Sequence, residues 1–179
     1  MSRIIMITGG QRSGKSEEAE RRALSMTDSP VYLATAQVLD DEMRHRVSLH
    51  QQRRGPQWTN IEEPLWPSRH DLTGRVVLMD CLTLWLTNLF FDEESKEAEV
   101  SERLAERVLQ RAKDEFDRLA SQDATLIVVT NEIGLGGTSA NRLQRQFTDL
   151  QGWMNQHVAA RADEVILMVS GIPVVIKGN

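Results

Sequence analysis

Short apolar runs alternate with longer segments in which apolar residues recur every three or four positions, and this alternation predicts an α/β protein. The runs Arg3–Thr8 (RIIMIT), Pro30–Thr35 (PVYLAT), Arg75–Asp80 (RVVLMD), Thr125–Thr130 (TLIVVT) and Glu164–Val169 (EVILMV) are expected strands. Most are apolar throughout, as strands of a mainly parallel sheet covered by helices on both faces should be. Weaker strand signals lie at 58–63 (WTNIEE) and 172–177 (IPVVIK), and Pro173 places the latter at a sheet edge. Helices are expected at about 15–26, 40–54, 82–91, 97–121 and 140–160. The fourth has the clearest stripe, Leu104, Val108, Ala112, Phe116 and Leu119, set among charged residues. The acidic flank 90–103 (FFDEESKEAEVSER) reads as a loop before it. With no internal repeat, low-complexity tract or Pro/Ser linker, residues 1–179 are expected to form a single domain.

Composition narrows the function. The chain has 21 Lys and Arg against 26 Asp and Glu, a net charge of −5. A nucleic-acid binder would show a basic footprint, so that class starts at a disadvantage. The single cysteine, Cys81, excludes an intrachain disulfide and a zinc site of several thiolates. The apolar run Ile4–Ile7 is too short for a signal-peptide core or a membrane span, and a cytoplasmic address is expected.

The first strand runs directly into Gly9–Ser16, GGQRSGKS, which fits G-x-x-x-x-G-K-[ST] with Gly9, Gly14, Lys15 and Ser16 in the fixed places. In such a loop glycines let the backbone turn so that the N–H groups of residues such as Gly10, Gln11, Arg12 and Ser13 face phosphate oxygens. The following helix adds its positive end. Lys15 then reaches the outer phosphates and the Ser16 hydroxyl is a Mg²⁺ ligand. A P-loop also needs an acidic partner for Mg²⁺ at the end of a neighbouring strand. Asp80 is the expected one, with Asn131 and Glu132 in an equivalent place and Glu132 a candidate base or water-positioning group. ATP or GTP is the expected substrate.

Asp40–Trp58 sets one histidine among arginines. On a helix, Met43, Val47 and His50 share a face, with Arg46 one turn before His50 and Arg53 and Arg54 one turn after. Those guanidiniums favour neutral imidazole and suit polyphosphate. From the residues alone, a nucleophilic His50 and a half-buried helix histidine beside solvated arginines both stand. His45, His70 and His157 carry no such pattern, Cys81 reads as a small buried residue, and the four tryptophans as core or interface residues.

The segments ITGGQRSGKS, YLATAQVLDDEMRHRVSLHQQRRGPQW, DCLTLWLTNL, VTNEIGLG, NRLQRQFTDLQGWMNQHVAARADEV and VSGIPVVIK occur in the order found in one family. From about residue 4 to 177 the chain resembles the bifunctional adenosylcobinamide kinase / adenosylcobinamide-phosphate guanylyltransferases of cobalamin biosynthesis. The resemblance implies a RecA-like P-loop NTPase fold and two reactions. A nucleoside triphosphate phosphorylates the aminopropanol hydroxyl of adenosylcobinamide. GTP then guanylylates an enzyme histidine, which passes GMP to adenosylcobinamide phosphate, giving adenosyl-GDP-cobinamide. By the family pattern R-[IV]-x-x-H, here Arg46 to His50, the histidine is His50. Thr35, Ala36 and Gln37 match a nucleotide-contacting segment, and Gln51, Gln52, Arg53, Arg54, Glu62 and Leu84 fall where family members touch the guanine nucleotide. A homotrimer is implied as well. The chain departs from the family at Thr138-Ser139-Ala140, where Val-Pro and an acid are common, and at Thr148, often basic. Set against this are a single-activity P-loop kinase or guanylyltransferase, a RecA-like ATPase acting on nucleic acid, and a nucleotide-binding regulatory module.

Overall fold

In the computed structural model, residues 1–37, 55–95 and 103–178 are described. The strands are β1 (Arg3–Gly9), β2 (Val31–Ala34), β3 (Thr59–Glu62), β4 (Val76–Asp80), β5 (Thr125–Val129), β6 (Glu164–Val169) and β7 (Ile172–Lys177). The helices are α1 (Lys15–Met26), α2 (Leu82–Glu94), α3 (Leu104–Ser121) and α4 (Arg142–Arg161), with short 3₁₀ turns at Pro67–Arg69 and Ile133–Gly136. The strands form one seven-stranded sheet in the order β3-β2-β4-β5-β1-β6-β7. All neighbours are parallel except β6 and β7, an antiparallel hairpin. Ser170 and Gly171, both with positive φ, make the turn of that hairpin, as two-residue loops between twisted strands require.

Two apolar layers flank the sheet. Because side chains alternate along a strand, Ile4 and Met6 of β1 join Val77, Met79, Leu126 and Val128 in the core under α2, α3 and α4. Ile5 and Ile7 face the other way, with Leu78, Ile127, Val129 and Ile166, against Ala19 and Ala23 of α1. The stripe of α3 is buried at all five predicted positions. Pro173 lies on the edge strand β7, where its missing N–H costs no ladder bond.

Two expectations need correction. The segment after Leu89 is not a loop from residue 90: α2 continues to Glu94. Phe90 is buried, and Asp92 and Glu93 both accept from Arg111 Nη1 of α3, so packing and ion pairing extend the helix past the point where the acidic run suggests it stops. Helix α3 is described from Leu104 rather than 97, and residues 96–102 lie outside the described residues. The expected helix 40–54 also lies outside them.

Candidate functional site

The parallel strands end level with one another. Ala34 of β2 is in register with both Glu62 of β3 and Asp80 of β4, Asp80 with Val129 of β5, and Gly9 of β1 with Met168 of β6. Gly9–Ser16, Thr35–Gln37, Glu62, Asp80, Leu84 and Asn131–Glu132 therefore all lie at the carboxyl edge of the sheet, where open α/β sheets collect ligands.

Gly9–Ser16 needs its glycines. Gly9 has φ 150°, and a Cβ there would stand 2.5 Å from Met168 O and 2.9 Å from Ser13 Oγ. Gly14 has φ 93° and caps α1 with no side-chain bond, which leaves the first-turn N–H groups for another acceptor. The hairpin braces the loop from outside: Gly171 N–H donates to Ser13 O at 3.0 Å. Arg12, exposed at the loop's tip, adopts φ 57°. Gly10 and Gln11 are likewise exposed.

Lys15 is only 7% exposed. Its ammonium donates to Gly10 O at 2.5 Å and lies 3.5 Å from Ser13 Oγ. Burial holds its pKa below the ordinary value of 10.5, opposed by the nearby Cys81 and Asp80. Cys81 itself is pushed up to about 12, by burial first and then by the charge of Asp80, so it is an inert thiol. Asp80 closes β4 half-exposed, with Oδ2 accepting from Tyr32 Oη at 3.0 Å. The Thr35 hydroxyl accepts from Cys81 N–H at 2.9 Å and donates to Cys81 O at 2.8 Å, locking β2's end to β4's. Asn88 of α2 donates to Thr35 O and to Pro64 O, so the chain leaving β2 and the chain leaving β3 share one anchor. Leu84, half-buried in the first turn of α2, packs against the apolar cluster under α1, and Glu62 is exposed at the end of β3.

A divalent cation suits these donors. Half-buried Ser16 and Asp80 offer hard oxygen ligands, and Mg²⁺ in phosphate sites takes one or two protein oxygens with the phosphates supplying others. Among the described residues no group of three or more His, Cys, Asp or Glu gathers to hold a metal alone.

Glu132, just past β5, is fixed from three sides. Its N–H donates to Gly9 O at 3.2 Å, and its Oε1 accepts from Thr8 Oγ1 at 2.8 Å and Asn155 Nδ2 at 3.1 Å. Asn131 is tied to the first turn of α2 through Thr83 Oγ1. The turn 133–136 that follows and helix α4 enclose a groove of 480 Å³ lined by Gly134, Thr138, Ser139, Arg145, Thr148 and Trp153, among others. Both positions at which the chain departs from the family pattern thus face this groove.

His50, Gln51, Gln52, Arg53 and Arg54 lie outside the described residues; the described chain ends at Gln37 and resumes at Gly55. Tyr32, Thr8, Asn155 and Asn88 escape a reading of the sequence because each acts on a residue more than twenty positions away.

A parallel sheet with a glycine-built phosphate loop between β1 and α1 and an acid closing a neighbouring strand defines a P-loop NTPase fold. The description "Cobinamide kinase / cobinamide phosphate guanyltransferase" matches residues 5–176, and the chain belongs to that family. It is 39% identical over 178 residues to the bifunctional adenosylcobalamin biosynthesis protein CobP of Pseudomonas aeruginosa, covering 97% of each chain. With CobU of Salmonella typhimurium it shares 40% over 190 residues, covering 97% of this chain and 99% of that one. Among solved structures, the flagellar accessory protein FlaH of Methanocaldococcus jannaschii aligns with TM-score 0.50 at 14% identity, covering 99% of this chain and 79% of that one. The ATP synthase subunit NeqB of Nanoarcheaum equitans aligns with TM-score 0.53 at 13% identity, covering 93% and 45%. At these identities the likeness is one of fold.

Proposed function

We propose that this chain, acting as one domain over residues 1–179, phosphorylates adenosylcobinamide and then guanylylates the product, as the names of its relatives describe. In the first reaction the terminal phosphate of ATP or GTP passes to the corrinoid's aminopropanol hydroxyl. The N–H groups of Gly9–Gly14 hold the triphosphate, Lys15 neutralises charge on the transferring group, and Ser16 and Asp80 hold Mg²⁺, which supplies further neutralisation when bound. The observation that carries this is a buried Lys15 inside a loop that only glycine at position 9 allows.

In the second reaction a ring-nitrogen lone pair of His50 attacks the α-phosphorus of GTP, the bond to the bridging oxygen breaks, and pyrophosphate leaves. A phosphate oxygen of adenosylcobinamide phosphate then attacks the same phosphorus, the P–N bond breaks, and neutral histidine is restored with adenosyl-GDP-cobinamide as product. Thr35, Ala36, Gln37, Gln51, Gln52, Arg53, Arg54, Glu62 and Leu84 form the guanine-nucleotide contacts, and the corrinoid comes as a small-molecule substrate. We place the enzyme in the cytoplasm as a homotrimer. No helix among the described residues is long and apolar enough to cross a membrane. Strand β7 supports self-association: Ile172, Val174, Val175 and Ile176 are all exposed on it.

The test is the intact-protein mass after incubation with GTP and Mg²⁺, beside His50→Asn. An acid-labile guanylyl adduct on the parent and none on the variant is expected. A parent that binds GTP without forming an adduct would remove the nucleotidyl-transfer half and leave a P-loop kinase.

A further inference from the structure

Phosphorylating an alcohol releases a proton, and the P-loop supplies only cations and N–H donors around the phosphates. Glu132 is the carboxylate placed next to that loop, between it and Asp80: its own N–H is bonded to Gly9 O, and β5 pairs with β1 on one side and with β4 on the other. Its two oxygens are not equivalent. Oε1 receives both Thr8 Oγ1 and Asn155 Nδ2. Asn155 is in turn pinned, since its Nδ2 also donates to Asn131 O at 3.0 Å and its Oδ1 accepts from Thr130 Oγ1 and Gln151 Nε2, each at 2.8 Å. Thr8, Thr130, Gln151 and Asn155 are all buried, at 5% exposure or less. A buried network with its amide fully bonded fixes one carboxylate orientation and leaves Oε2 for another partner. Two uncharged donors hold the group, and among the described residues no cation is paired with it. The 3₁₀ turn that follows Glu132 contributes Gly134 to the wall of the 480 Å³ groove, so the carboxylate stands two residues from that groove in the chain and is bonded through its N–H to the start of the phosphate loop.

We propose that Glu132 takes the proton of the acceptor hydroxyl during phosphoryl transfer, and that Thr8 and Asn155 are the positioning residues that aim it. The inference rests on the kinase reading above. The hydroxyl O–H bond breaks with its proton going to Oε2, the oxygen bonds to the terminal phosphorus, and the bridging P–O bond breaks to release the nucleoside diphosphate. Attack by neutral imidazole on GTP uses a lone pair and needs no such base, so the two activities separate the role.

Glu132→Gln keeps an amide oxygen for both donors and therefore the fold, but cannot take a proton. Phosphorylation of adenosylcobinamide is expected to fall about 100-fold or more in kcat, with the nucleotide KM, the Mg²⁺ requirement and GTP-dependent guanylylation of the enzyme retained. An unchanged kcat, or a parallel loss of guanylylation, overturns the proposal, the latter by assigning Glu132 to nucleotide or metal binding. Asn155→Asp sets a second carboxylate against Oε1, and the acid limb of the kcat–pH profile should move to higher pH. Thr8→Val removes the other donor without changing shape and should lower kcat at least about tenfold at unchanged nucleotide KM. An unmoved acid limb, or full kcat in Thr8→Val, overturns the positioning role. A parent enzyme that does not phosphorylate adenosylcobinamide would instead refute the kinase reading itself.

Discussion

At the scale of single residues, Lys15 combines two demands that usually conflict. Burial depresses its pKa, yet the chemistry asks for an ammonium. The carbonyl of Gly10 and the negative potential of Asp80 keep the charge affordable. Lys15→Met preserves the stem and its packing while deleting the charge, so kcat for phosphoryl transfer should drop about 100- to 1,000-fold with little change in thermal midpoint. A parallel collapse of the midpoint would mean that the lysine serves folding instead. Motif reading reaches this residue because everything that defines a P-loop lies within eight consecutive positions. It does not reach Thr8 or Asn155, whose meaning depends on a bond to Glu132 that chain folding creates. Threonine before a glycine and asparagine late in a helix carry no local signature. Asp80 was legible as a strand-end acid, but its lock through Tyr32 and the Thr35–Cys81 clasp was not.

At the scale of elements, α1 is fastened to the sheet by charge as well as by Ala19 and Ala23. Arg22 donates to Glu18 in its own helix at 2.7 Å and to Glu164 of β6 at 2.6 Å. Hydrogen bonding from Arg21, ahead of the contribution of Arg22 and against the cost of burial, holds the Glu18 carboxyl below its ordinary 4.5. A carboxylate whose folded pKa is depressed contributes stability above its unfolded value and loses it as pH falls through the folded value. Glu18→Gln should therefore unfold at lower urea than the parent at pH 7, by about 1–2 kcal/mol, and the gap should close as the pH is lowered through the acid range. Equal midpoints at neutral pH would show the pair to be a surface contact of no consequence. The helical stripe of α3 and the edge placement of β7 were legible because periodicity and proline report directly on environment. The end of α2 was not, since Asp92 and Glu93 look like loop residues until Arg111 is brought beside them.

At the scale of the whole molecule, one edge of the sheet is guarded and the other is not. At the β3 end the strand is short and polar, whereas β7 presents four large aliphatic side chains to solvent. If copies of the chain meet there, lysine at both Ile172 and Ile176 should leave the thermal midpoint of the subunit unchanged at high dilution but lower the sedimenting mass to that of one chain. An unaltered mass would place the contact elsewhere. The brace on the phosphate loop has a separate consequence, in time rather than in space. The nucleotide cradle is synthesised well before Met168 and Gly171, on which its shape depends, and before β5 and β6, between which β1 lies. A growing chain thus carries an unfinished pocket until the β6–β7 hairpin has left the ribosome, and nucleotide can reward folding only after that point.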